Sequence, residues 1–130
     1  EKILLRIPEQ RQNLCCHSAG SLYMAKNGEL FIATGDNTDS HHSSGFAPLD
    51  ERPGMYWNDA QRTSANTMSL NGKILRIKPN VDGTYQIPDG NLFEKTDSTA
   101  RPEIYVMGAR NPYRIGFDER RRYLYWGDVG

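Results

Sequence analysis

Two cysteines are all the thiols in this chain, and they are neighbours, Cys15-Cys16, so no disulfide framework can join distant parts of it. A vicinal bridge or two free thiols remain. The free pair, one thiol on each face of a strand, is the expected state, because a vicinal bridge requires a strained peptide. No apolar run approaches the roughly 18 residues that would span a bilayer, and the N-terminus lacks the shape of a signal peptide. Charge of one sign is missing too. Sixteen basic and 16 acidic residues cancel, which removes electrostatic support for a nucleic-acid or anionic membrane partner and favours a neutral ligand. Apolar residues make up only 37% and the mean hydropathy is -0.72. At 130 residues that warns against a self-sufficient core. The chain opens inside an apparent strand, Lys2-Ile3-Leu4-Leu5-Arg6-Ile7, and closes at Gly130 straight after another, which predicts a segment of a longer polypeptide.

Amphipathic helices of ten residues or more are also absent, and the apolar pattern falls into short runs between turn residues. Pro8 ends the first run by removing a backbone donor. Residues 21–25 and 30–34 flank Lys26-Asn27-Gly28-Glu29, whose Asn-Gly supplies the positive φ values of a tight hairpin. Further strands are expected at 72–77, 84–87 and 103–107, with a last hairpin formed by 113–117 and 123–126. Between 37 and 69 no period holds, and Gly45, Pro48, Pro53 and Gly54 mark a long irregular insertion in which Phe46, Met55, Tyr56 and Trp57 argue for some packing. His41-His42 lies there without a third ligand at metal-binding spacing, as solvated loop histidines would. A repeat organises the pieces. Lys2-Ile3-Leu4-Leu5-Arg6-Ile7-Pro8 returns as Lys73-Ile74-Leu75-Arg76-Ile77-Lys78-Pro79, and Leu30-Phe31-Ile32 ending in Gly35-Asp36 returns as Leu124-Tyr125-Trp126 ending in Gly127-Asp128. The class is all-β. Short repeated antiparallel strands with insertions indicate a β-propeller, about two to three blades here, and a two-sheet sandwich is the alternative.

The candidate chemistry lies at the first hairpin, which has His17 before it and Asp36 after it, so that both can meet at one sheet edge. A histidine with a carboxylate on its other nitrogen is the equipment of a general base, and it is also a common structural hydrogen bond. Arg110-Asn111-Pro112 reads either as a loop anchor or as part of the same site.

Four motifs in order, Cys15-Cys16-His17-Ser18-Ala19-Gly20-Ser21, Leu70-Asn71-Gly72-Lys73-Ile74-Leu75-Arg76-Ile77, Gly108-Ala109-Arg110-Asn111-Pro112 and Leu124-Tyr125-Trp126-Gly127-Asp128-Val129-Gly130, resemble the soluble glucose/sorbosone dehydrogenase family, the pyrroloquinoline quinone-dependent sugar dehydrogenases. The insertion carrying Asp50-Glu51-Arg52-Pro53-Gly54 looks like that of large secreted bacterial members. The resemblance implies a six-bladed β-propeller, a periplasmic or extracellular location, a sugar substrate and an external electron acceptor such as a c-type cytochrome. It implies His17 as general base, Asp36 as the carboxylate orienting it, and Arg110 and Asn111 as cofactor contacts, with Arg110 also stabilising charge on the quinone. It implies calcium held by backbone carbonyls at Val129 and Gly130. Extracellular propellers of this kind also serve as binding modules, so a non-catalytic propeller that binds a glycan or a protein is the second reading.

Overall fold

The computed structural model describes residues 1–11 and 17–130, and the Cys15-Cys16 pair lies outside them. Seven strands carry the architecture: β1 (Ala19–Met24), β2 (Leu30–Thr34), β3 (Lys73–Pro79), β4 (Tyr85–Gln86), β5 (Ile104–Met107), β6 (Pro112–Asp118) and β7 (Tyr123–Asp128). The all-β expectation holds, since the only helical elements among the described residues are single 3-10 turns at Tyr56–Asn58 and Ala60–Arg62, both inside the insertion. All pairings are antiparallel. The first five strands form one sheet around β3, and β6 with β7 forms a separate hairpin.

β3 is central because its residues from Lys73 to Ile77 are all buried, and both of its edges are used. β2 pairs along one edge, from Leu30 opposite Ile77 to Thr34 opposite Lys73. β5 takes the first part of the other edge, with Lys73 opposite Met107, and β4 takes the end, with Pro79 opposite Tyr85. Alternation along β3 then divides the core in two. Ile74 packs with Ala25, Phe31 and Phe117 on the face covered by the β6–β7 hairpin. Leu75 packs with Leu70 and Ile104 on the opposite face, where Leu5, Ile7 and Phe93 close over it. A sheet covered on both faces explains why β3 lacks the polar alternation of a half-exposed strand.

Two details differ from the sequence reading. Residues 2–7 form no strand. With both edges of β3 occupied, this segment finds no ladder partner there, and Leu5 and Ile7 contribute side chains to the core without backbone pairing. In the turn of the first hairpin, residues 26–29, only Gly28 has a positive φ, at 84°. The loop is therefore three residues long, closed by the Ala25 N–H to the Glu29 carbonyl at 2.8 Å, with Gly28 in the left-handed position.

The insertion is held by polar contacts. The Asn58 side-chain amide donates to the carbonyls of Asp39 and His41 at 2.7 and 2.8 Å, and Leu49 bridges Asp59. Its end is tied to β3 by Lys73, a fully buried residue whose ammonium donates to the carbonyls of Thr63, Ser64 and Asn71 at 2.8–2.9 Å. Burial pushes the Lys73 pKa down to about 8, and the three carbonyls support the charged form against it. Replacing Lys73 with Met removes the cation and takes the ammonium donor from the buried Ser64 and Asn71 carbonyls, while the Thr63 carbonyl keeps Asn66 N–H at 2.9 Å. We expect Lys73→Met to destabilise the protein by about 2–4 kcal/mol in urea unfolding, whereas a loss below about 0.5 kcal/mol would show that the tie is dispensable.

Candidate functional site

The site forms where β2 ends. Past Thr34 the chain continues through Gly35, Asp36 and Asn37, and each of these three residues bonds a different segment by its backbone. The Gly35 carbonyl accepts from Gly72 N–H at 2.7 Å, Asp36 N–H donates to the Arg110 carbonyl at 2.7 Å, and Asn37 N–H donates to the His17 carbonyl at 3.1 Å. Position 35 has no room for a side chain, since a Cβ there would overlap the His17 carbonyl.

His17 and Asp36 meet directly. The ring Nδ1 lies 2.8 Å from Asp36 Oδ1 in a buried contact. The same carboxylate oxygen accepts from Thr38 N–H at 2.9 Å and from the Thr38 hydroxyl at 2.8 Å, so the carboxylate is fixed before any ligand arrives. With Nδ1 engaged, the proton sits on that nitrogen and Nε2 is left as the basic one. Asp36 Oδ2 is buried without a hydrogen-bond partner, and so is Arg110 Nε.

Asp36 and Arg110 line one cavity of about 240 Å³. Its other walls are Gly108, Ala109 and a part of the insertion that the sequence did not mark, namely Pro48, Leu49, Ala60, Ser64 and Ala65. These small or apolar residues carry no motif, and only the fold of residues 37–69 brings them to the site.

Of the four predicted site residues only Asp36 and Arg110 line the cavity; His17 reaches it through Asp36, and Asn111 is placed differently again. Its side-chain oxygen accepts from Ala19 N–H at 3.0 Å, which clamps β6 to β1, and it does not line the cavity. Asp128, which the sequence reading singled out only as the repeat of Asp36, turns its carboxylate onto the same turn. Arg110 N–H donates to Oδ2 at 3.1 Å and Asn111 N–H to Oδ1 at 2.5 Å. Its Gly-Asp ending was the available signal. Val129 N–H donates to the Asn111 carbonyl at 3.1 Å.

A planar quinone edge fits the Arg110 side of the cavity, because a buried N–H without an acceptor is matched by a carbonyl or carboxylate oxygen. The cavity is smaller than the roughly 300 Å³ at which small-molecule pockets begin, so it would not enclose such a ligand by itself. Calcium does not fit in the same way. The carbonyls of Val129 and Gly130 offer two oxygens of the six to eight that the ion takes, and no cluster of three or more His, Cys, Asp or Glu stands among the described residues. His41, held by Asp39 at 3.3 Å, remains a loop histidine.

The family model for Glucose / Sorbosone dehydrogenase matches residues 1–130. Among curated proteins, the HIPL2 protein of Arabidopsis thaliana is 32% identical over 124 residues, covering 85% of this chain and 15% of the relative. The HIPL1 protein of the same plant is 33% identical over 127 residues, covering 88% and 16%. Among solved structures, a glucose dehydrogenase superposes with TM-score 0.58 at 24% identity, covering 88% of this chain and 26% of its own; this speaks for the fold alone. The soluble aldose sugar dehydrogenase of Escherichia coli, in its apo form, gives TM-score 0.54 at 28% identity, covering 86% and 25%. The chain thus spans about a sixth of those curated relatives and a quarter of those structures. These likenesses agree with the sheet and hairpin as parts of a β-propeller.

The cavity wall depends on an acid-sensitive lock. Asp50 is buried and accepts from Arg52 Nε at 2.8 Å, from Arg52 Nη2 at 2.7 Å and from the Ser43 hydroxyl at 2.5 Å. The hydrogen-bonded Arg52 guanidinium, helped by Ser43, holds the Asp50 carboxyl well below its usual range. A carboxyl depressed on folding contributes stability that is complete above its unfolded value, about pH 4, and is lost as pH falls through the lower folded value. Hydrogen exchange across residues 43–59 should therefore accelerate in acid below about pH 4. Asp50→Asn should be fast already at neutral pH and should lose that acid step; an unchanged profile would exclude the lock.

Proposed function

Because this chain belongs to the glucose/sorbosone dehydrogenase family, we propose that its parent protein oxidises a sugar hydroxyl, an aldose or a relative of one, with pyrroloquinoline quinone as the hydride acceptor. The observation that carries the reading is the buried His17–Asp36 pair, with Nδ1 held by a carboxylate that is itself fixed by Thr38. When bound, pyrroloquinoline quinone supplies the two-electron acceptor.

His17 Nε2 takes the hydroxyl proton while the carbon beneath it gives up its hydride, so C–OH becomes C=O and one proton rests on the imidazole. Asp36 keeps the ring in the tautomer that can accept there and stabilises the imidazolium that forms. In this reading the guanidinium of Arg110, a residue that lines the cavity, opposes negative charge developing on the acceptor. A planar fork holds a planar acceptor in a way lysine does not. Asn111 acts as a clamp, its side-chain oxygen accepting from Ala19 N–H and keeping β6 against β1 so that Arg110 stays in place. The same reading includes a periplasmic or extracellular location, an external acceptor such as a c-type cytochrome, and calcium whose shell is completed outside this segment.

Sugar-dependent dye reduction by the quinone- and calcium-reconstituted parent tests the proposal. His17→Ala should lower kcat by about a hundredfold or more with little change in sugar KM. Arg110→Lys should weaken quinone retention and kcat together. If no aldose in a broad panel reduces the dye, the alternative of a glycan- or protein-binding propeller takes over.

A further inference from the structure

A larger cavity, about 520 Å³, opens on the other side of the turn that carries Asp36, and nothing in the chemistry above uses it. Its lining includes Arg6, Arg62, Arg101, Trp57, Glu9 and Asn71. Asn37 also lines it, which sets the cavity one residue away from the His17–Asp36 pair.

The arginines are unequally matched. Arg101 is neutralised by Glu103, with Nη2 to Oε1 at 2.8 Å. Arg62 is half-buried and comes from the insertion. It donates to the carbonyls of Asn37 at 2.6 Å and Tyr56 at 3.0 Å, and its guanidinium lies 4.8 Å from the Trp57 ring centre. No carboxylate stands within ion-pair distance of Arg62 or Arg6 among the described residues. A half-buried cation that faces a cavity with no carboxylate in direct contact, although Asp36 and Asp59 act on it from farther off and Glu9 shares the lining, is a place where an anion is stabilised. The remaining lining narrows the choice of anion. Trp57, covered on one face by the Arg62 guanidinium, offers its remaining indole surface to the apolar face of a ring, and the amide of Asn71 and the carboxylate of Glu9 suit hydroxyl groups.

We propose that this cavity binds the carboxylate of an acidic carbohydrate, with Arg6 and Arg62 as the carboxylate partners and Trp57 under the sugar ring. It is a recognition site beside the base, and it does not depend on the dehydrogenase reading. Arg6 is the exposed member of the pair.

Titration calorimetry of the full-length parent, with sodium glucuronate as probe, tests this. Glucose serves as the neutral control and inorganic phosphate as the plain anion. Glucuronate should bind at least about tenfold more tightly than either, and Arg6→Gln should cost about tenfold, the loss of one charge-assisted contact. Arg6 is exposed, so that variant retains the fold; Trp57→Ala should weaken glucuronate while leaving the phosphate affinity unchanged. Binding should survive His17→Ala, which separates this site from catalysis: glucuronate binding without dye reduction would remove the dehydrogenase reading and leave the site standing. No glucuronate binding, equal affinity for phosphate, or indifference to Arg6→Gln would each overturn the assignment.

Discussion

The site rests on a three-residue backbone crossing. Gly35, Asp36 and Asn37 make one main-chain hydrogen bond each to Gly72, Arg110 and His17, so segments 20 to 74 residues apart in sequence are fixed at a single point. The crossing is possible because position 35 has no side chain; any Cβ would take the place of the His17 carbonyl. Asn37, in the left-handed region at φ 55°, turns the chain out of the sheet immediately afterwards. His17 and Asp36 are neighbours for this reason, and their mutual bond follows from main-chain geometry rather than from side-chain search.

The same logic extends to the second Gly-Asp ending. Asp36 approaches the Arg110 turn through its own N–H, and Asp128 approaches it through its carboxylate. Two copies of one sequence element thus hold the same turn from two sides by different atoms. Repetition of a hairpin supplied the positions, and divergence of their bonding left one copy with a histidine partner.

Much of this arrangement was legible in the residues. Runs of strand formers between Gly and Pro located β1–β3 and β5–β7 to within two residues, because short pleated segments advertise themselves by turn chemistry at their ends. Residues 2–7 misled for a reason the pattern cannot carry: strand composition is local, while an open ladder edge is a property of the assembled sheet. The meeting of His17 with Asp36 was readable as a pairing at one sheet edge. The cavity wall was not, since Pro48, Ala60 and Ala65 are ordinary residues whose position is set by bonds among Asp39, Trp57, Asn58 and Lys73. Nor was the clamp role of Asn111, which depends on how closely β1 passes β6.

The sheet closes over the insertion, because β2 and β3 pair directly across it. The entropy of closing a loop grows only with the logarithm of its length, so doubling such a loop costs the sheet about 0.6 kcal/mol. The insertion is anchored near its end by carbonyls that any sequence provides, since Lys73 bonds the backbone of Thr63, Ser64 and Asn71 and not their side chains. Beyond Thr38, and apart from the Asp39, Asp50 and Asn58 contacts, length and sequence up to residue 62 can therefore drift at little expense to the sheet. Evolution then has a region where the cavity wall can be rewritten while the His17–Asp36 pair, seated on the main-chain crossing itself, stays as it is.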